Sequence, residues 1–242
     1  MAIDAAATPM DMTLTPEEWT ALRISLKVAA WATIVALPLG LLTAWALARG
    51  RFQGRMLLDG LVHMPLVLPP VVTGYVLLLL FGRKGPLGQM LEPLGIVFAF
   101  DWTGAALAAG VMGFPLMVRA MRLSLEGVDT RLEQAAATLG CPPWLVFLTI
   151  TLPLMLPGIL AGAILCFAKA LGEFGATITF VSNIPGVTQT LPSAIYTYTQ
   201  VPGGDGPALR LTLIAVVVAV AALVASEMLA RRARRRVEGA DD

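Results

Sequence analysis

The chain is 242 residues long, 57% of them hydrophobic and only 14% charged, with a formal net charge of +1. Soluble domains carry about a quarter charged residues, so this composition excludes an ordinary soluble fold. Two cysteines, Cys141 and Cys166, and a single histidine, His63, likewise exclude a disulfide framework and a zinc centre.

Several runs reach the roughly 20 apolar residues that cross a bilayer as a helix. The chain reads as one all-α membrane domain, residues 1–242, with five spans. Residues 1–18 form an external N-terminal tail without the basic and apolar regions of a cleavable signal peptide, so the first span must also direct insertion. Thr15, Pro16 and Glu18 mark a helix start with an N-cap, an N1 proline and a capping-box glutamate. The first span follows over Leu22–Leu47, and the second covers Leu57–Gly82 with Pro65, Pro69 and Pro70 inside it.

The stretch from Gly85 to Phe100 is apolar but broken by glycine, proline and Glu92, which suits an interfacial or re-entrant segment better than a sixth span. The third span is expected over Trp102–Leu123. Its Ala106, Ala109, Gly110 and Gly113 make a small-residue face for close packing, in the bundle or between copies. The fourth runs from Pro153 or Leu154 to Phe174, and the fifth over Ala208–Leu229.

Basic residues set the orientation. Arg49, Arg51 and Arg55, then Arg119, Arg122 and Arg131, then Arg231, Arg232, Arg234, Arg235 and Arg236 fall on one side. The opposite loops hold only Arg83, Lys84 and Arg210. The N-terminus is therefore outside and the C-terminus cytoplasmic. The basic tail, residues 231–242, suits anchoring at anionic headgroups of the lipid bilayer rather than nucleic-acid binding.

This orientation puts residues 130–150 in the cytosol. "TRLEQAAATLG" reads as a short capped helix, with Thr130 and Glu133 at capping-box spacing and Gly140 at the C′ position, where φ is positive. Leu132, Ala135, Ala136 and Leu139 fall on one stripe, and Pro142 and Pro143 stop the helix. These residues fit an amphipathic helix resting on the membrane. Their small alanine face also fits a docking knob that a partner's groove approaches closely.

The arrangement Glu133, Ala135, Ala136, Gly140, then Ile150, Leu152 and Pro153, resembles the EAA loop of ABC importer permeases. The stretches Pro65–Gly88, Ala99–Asp129 and Leu171–Gly204 are similar to the molybdate permeases of that class; sulfate and thiosulfate permeases fit "GEFGATITFVSNIPG" less well. The resemblance implies a type I importer permease fold and a coupling role for those seven residues. It implies as partners a second copy of the chain, two cytoplasmic ABC ATPase subunits and an external, periplasmic oxoanion-binding protein. The implied home is the bacterial inner membrane. Molybdate is the implied substrate, with tungstate or sulfate as alternatives. One departure is Ala137, where such loops often carry a basic residue.

For Glu133 two roles stand side by side: capping the helix, and contact with a basic group of the ATPase. The resemblance places Glu173, Phe174, Gly175 and Thr177 near an external gate. Thr73 and Thr177 are hydroxyls that could meet a passing anion or satisfy backbone groups around broken helices. Lys169 and Glu173, spaced i,i+4, suit mutual neutralisation. Pro153 and Pro157 either set the angle of the fourth span or only shape its packing.

No phosphate-binding loop, nucleophile–base set or metal cluster is present, so the chain is expected to be no enzyme and to hold no cofactor. ATP and Mg would belong to the partner ATPase. A stand-alone secondary transporter or channel is the competing class. It would favour internal repeats or intramembrane ionisable relays, and neither is evident.

Overall fold

The structure, a computed structural model, describes residues 13–238. The external tail therefore lies mostly outside the described residues, as does the end of the basic tail, and the side chains beyond residue 228 are not described. All regular structure among the described residues is helical.

Helix α1 (Pro16–Arg49) begins as expected: the Thr15 hydroxyl accepts from Glu18 N–H, and Glu18 Oε2 accepts from Thr15 N–H at 2.8 Å. The second apolar stretch is sharply bent at its prolines. It is two helices, α2 (Arg55–Val67) and α3 (Pro70–Phe81), bent by 117° at Leu68–Pro69. Two adjacent prolines remove two N–H donors, and each forces the residue before it towards an extended conformation. Leu68 and Pro69 indeed have ψ of 142° and 136°. Each half is about 20 Å long, too short to cross a hydrocarbon core of about 30 Å alone.

The Gly85–Phe100 stretch contains only a short helix, α4 (Pro86–Leu91), and one turn over Glu92–Leu94. Helix α5 (Trp102–Glu126) is the central span and the most buried, packed between α1 and the fourth span. After it come α6 (Thr130–Thr138), α7 (Pro143–Val146), a π turn over Phe147–Thr151, and α8 (Leu152–Leu171). The fourth span is corrected. It starts at Pro143, because α7, the π turn and α8 form one continuous 29-residue helix. At 1.5 Å per residue it is about 43 Å long and overshoots the hydrocarbon core. Helices α9 (Gly175–Val181), α10 (Leu191–Thr199) and α11 (Asp205–Glu238) complete the chain. Helix α11 carries the fifth span and continues through residues 231–238 without a break.

Inside a bilayer, lipid is as apolar as leucine, so helix association depends on close packing and small residues. The interfaces here follow that rule. Gly40 of α1 abuts Met117 of α5, and Gly113 of α5 abuts Cys166 of α8. Gly158 and Gly162 of α8, four residues apart, lie against Ser124, Ala120 and Met117 of α5. The small-residue face of α5 thus serves the bundle: Ala109 is fully buried and Gly110 faces Ala32 of α1.

The two poles differ in chemistry. At one pole Arg122 pairs with Glu126 at 2.8 Å and with Asp59 at 3.1 Å, while the His63 ring lies 2.9 Å from the Asp59 carbonyl, a polar packing role. At the other, Arg210 of α11 binds the buried Glu18 of α1 at 2.6 Å, and Ser25 of α1 accepts the Leu191 N–H of α10. The apolar middle is widely exposed, as on Leu57, Leu61, Val217 and Leu223, which suits a bilayer.

Candidate functional site

Helix α6 projects at the pole that holds Arg49 and Arg122. None of its residues is buried; Leu132 is exposed, and Leu139 just beyond it is 85% exposed. The expected apolar stripe is therefore a free surface, continued by Trp144, 64% exposed. The helix ends sharply. Gly140 has φ +84°, its N–H donates to Ala137 O at 3.0 Å, and Cys141 N–H donates to Ala136 O at 3.2 Å. These two bonds make a Schellman motif, which explains a glycine where any side chain would be strained.

The helix start differs from the expected capping box. Asp129, one residue earlier, is the cap, and its Oδ1 accepts from Arg131 N–H at 2.9 Å. A carboxylate at the positive end of a helix is an effective cap, and it displaces Thr130 into the first helical position. Glu133 is thereby released from capping. Its Oε1 accepts from Arg49 Nη2 at 3.2 Å and from the Thr151 hydroxyl at 2.8 Å. Arg49 Nη2 also reaches the carbonyls of Leu125 at 3.5 Å and Val128 at 3.4 Å. One carboxylate and one guanidinium thus join the end of α1, the end of α5, α6 and the π turn.

Ala135 and Ala136 lie on α6, Ala136 partly covered and Ala135 exposed. Ile150 stands in the π turn, and Leu152 and Pro153 open α8 directly after it. Pro153 has no N–H to give Thr149, and the neighbouring Leu152 N–H reaches back five residues to Phe147 O. The seven residues of the loop motif therefore form two groups, one on the knob and one at its root. Arg49 and Thr151 belong to the same site without belonging to any motif. A lone arginine closing a long helix was the available signal, but its partner could not be read.

At the opposite pole, α3 packs against α9. Gly74 faces the Ala176 backbone, and Gly175 lies against Pro70. Glu173 is buried. Its Oε2 pairs with Lys169 at 2.6 Å, as the spacing suggests, and its Oε1 accepts Ala176 N–H at 3.0 Å. The Thr177 hydroxyl donates to Phe174 O at 2.8 Å and is spent on the backbone. The Thr73 hydroxyl is buried and has no hydrogen-bond partner among the described residues. The Phe174 ring packs on Tyr196 of α10, with centroids 5.2 Å apart. The structure thus brings all five expected gate residues to one α3–α9 junction.

No group of three or more metal-ligating side chains occurs among the described residues. Residues 36–235 match the family described as "Binding-protein-dependent transport system inner membrane component". The molybdenum transport system permease protein ModB of Escherichia coli (strain K12) is 59% identical over 93% of this chain and 99% of its own. ModB of Haemophilus influenzae is 52% identical over 91% and 96%. A sulfate transport system permease protein, CysW of Synechococcus elongatus, is 39% identical over 71% and 61%.

Among solved structures, a bacterial ABC transporter involved in alginate import matches with a TM-score of 0.71 at 16% identity, over 90% of this chain and 80% of that one. The inward-facing MetNI methionine ABC transporter matches with 0.66 at 16%, over 90% and 94%. Identities that low establish the fold: an all-helical importer permease of type I. With the family match spanning most of its length, the chain belongs to the binding-protein-dependent transport system inner membrane components and is a transport subunit, not an enzyme.

Proposed function

We propose that the chain is the membrane-spanning subunit of an ATP-driven molybdate importer of the bacterial inner membrane. Two copies pair, two ABC ATPase subunits grip their α6 knobs from the cytosol, and a periplasmic oxoanion-binding protein delivers substrate outside. The observation that carries this reading is α6 itself: a capped helix with no buried residue, tied to the end of α1 at the basic pole by the Arg49–Glu133 pair. ATP and Mg reside in the partner, and closure of the ATPase pair moves the two knobs as rigid bodies, opening the gate by alternating access.

The substrate assignment leans on identity, which is higher to molybdenum permeases than to the sulfate permease. Tungstate shares molybdate's charge and size, so discrimination between them belongs to the binding protein. On the gate side, Thr73 is the hydroxyl left to meet an anion once α3 and α9 part. Glu173 ties the start of α9 to the end of α8 through Ala176 and Lys169, and so fixes one side of that junction.

A crosslink tests the docking. Ala136→Cys, with Cys141 and Cys166 replaced by Ser and Ala, should capture the ATPase subunit in native membranes, with a yield that changes on adding ATP. No capture during active molybdate accumulation would remove α6 from the ATPase interface.

A further inference from the structure

Resting on the importer reading, we infer that Arg49 and Thr151 are positioning residues that clamp the coupling helix, through the inward-turned Glu133 carboxylate, to the first span and to the π turn of the fourth. The Glu133 side chain is only a quarter exposed, and its Oε1 already holds two donors from its own chain. It faces the bundle rather than the surface where a partner would lie.

The clamp answers a mechanical problem. Helix α6 buries no residue and is tied to the chain by two short links, Gly127–Asp129 and Leu139–Pro142, each containing a glycine. A knob held only by such links would swivel when pulled. Arg49 supplies a delocalised cation with several N–H donors. Its Nη2 is shared between Glu133 and the carbonyls of Leu125, in the last turn of α5, and Val128, in the link that follows.

Thr151 is 3% exposed and sits at the last position of the π turn. A π turn adds a residue to one helical turn and so changes which side chains face inward. Here the inward side chain is the hydroxyl that meets Glu133. Pulling on α6 then moves α1 and α8 together, one through Arg49 and the other through Thr151. Docking and force transmission are thereby separate properties: the alanine face docks, and the inward-turned Glu133 of the same helix transmits.

The test uses the full assembly, permease with its ATPase subunit and binding protein, in liposomes containing ATP. The readout is molybdate imported per phosphate released. Arg49→Gln and Glu133→Gln should each lower this ratio about tenfold, and Thr151→Val about threefold, as expected for losing bonds to a charged group. Assembly with the ATPase should persist in all three. The double variant Arg49→Gln/Glu133→Gln should be no worse than Glu133→Gln alone, because that single already removes the Arg49 tie.

Multiplying losses in the double variant would mean that Glu133 acts on the ATPase separately, and would overturn the clamp. So would an unchanged ratio in Arg49→Gln and Thr151→Val beside a coupled wild type. If Arg49→Gln fails to insert, Thr151→Val carries the test, since it removes a single hydroxyl at constant shape. A wild-type chain that never assembles with an ATPase sinks the importer reading, and the clamp with it.

Discussion

Gly158→Val should abolish most of the folded protein. A Cβ at this position would overlap the Ser124 side chain and come within 3.1 Å of the Ala120 carbonyl oxygen of α5. A carbonyl oxygen cannot rotate out of the way as a side chain can, so α5 and α8 must separate. They form the most extensive helix pair in the bundle, with Met155, Ile159 and Met117 sealed between them. Overpacking of this kind costs about 1–3 kcal/mol even where side chains can adjust, and here the nearest atom is the Ser124 Cβ, which no rotamer change moves, with the Ala120 carbonyl oxygen behind it. The measurement is the monodisperse fraction after detergent extraction, with the thermal midpoint of what survives. Gly60→Ala, in α2 with nothing near its added methyl, should leave both unchanged. Gly158→Ala should recover in part when combined with Ser124→Gly, which removes the nearer of the two obstacles.

Arg210→Ala should destabilise the outer pole almost as severely. The Glu18 side chain has no solvent exposure, and its Oε1 accepts from Arg210 at 2.6 Å and 3.2 Å. Truncating one member of a buried pair strands the other charge, at a cost of about 3–5 kcal/mol. The pair joins the start of α1 to α11, above the small cluster of Ala21, Leu22, Leu191 and Leu211. Loss of the pair therefore frees the α10–α11 corner. Replacing both charges, as Glu18→Gln with Arg210→Met, should restore most of the loss, because no buried charge is then left unpaired. Thermal melting followed by tryptophan fluorescence would report both, since Trp19 stands beside Glu18. A double variant as unstable as Arg210→Ala would show that packing, not charge, dominates there.

The spans were legible because uninterrupted apolar runs have no other use at that length. The knob was legible because its end is written locally, in Gly140 and the prolines after it. Its start was misread by one residue: Asp129 is the stronger cap, and the threonine beside it drew the assignment. Pro69 and Pro70 announced a disturbance in the second span, but whether paired prolines kink or fold back depends on what packs against each half. The partners of Glu133 were out of reach for another reason. Arg49 lies 84 residues away, and only the crossing of α1 over α5 brings them together. Gly158 and Gly162 stand at a spacing typical of close helix contact, yet the Ser124 and Met117 that require them are on another helix. Local chemistry was readable; side chains that act across helices became visible only in the fold.

The most direct measurement is molybdate accumulation by proteoliposomes with ATP inside and the binding protein outside. Accumulation against a gradient should appear only when this chain, the ATPase subunit, ATP and the binding protein are all present, and should stop when any one is omitted. Accumulation by this chain alone, without nucleotide, would contradict the coupling of α6 to an ATPase and make the protein a secondary transporter.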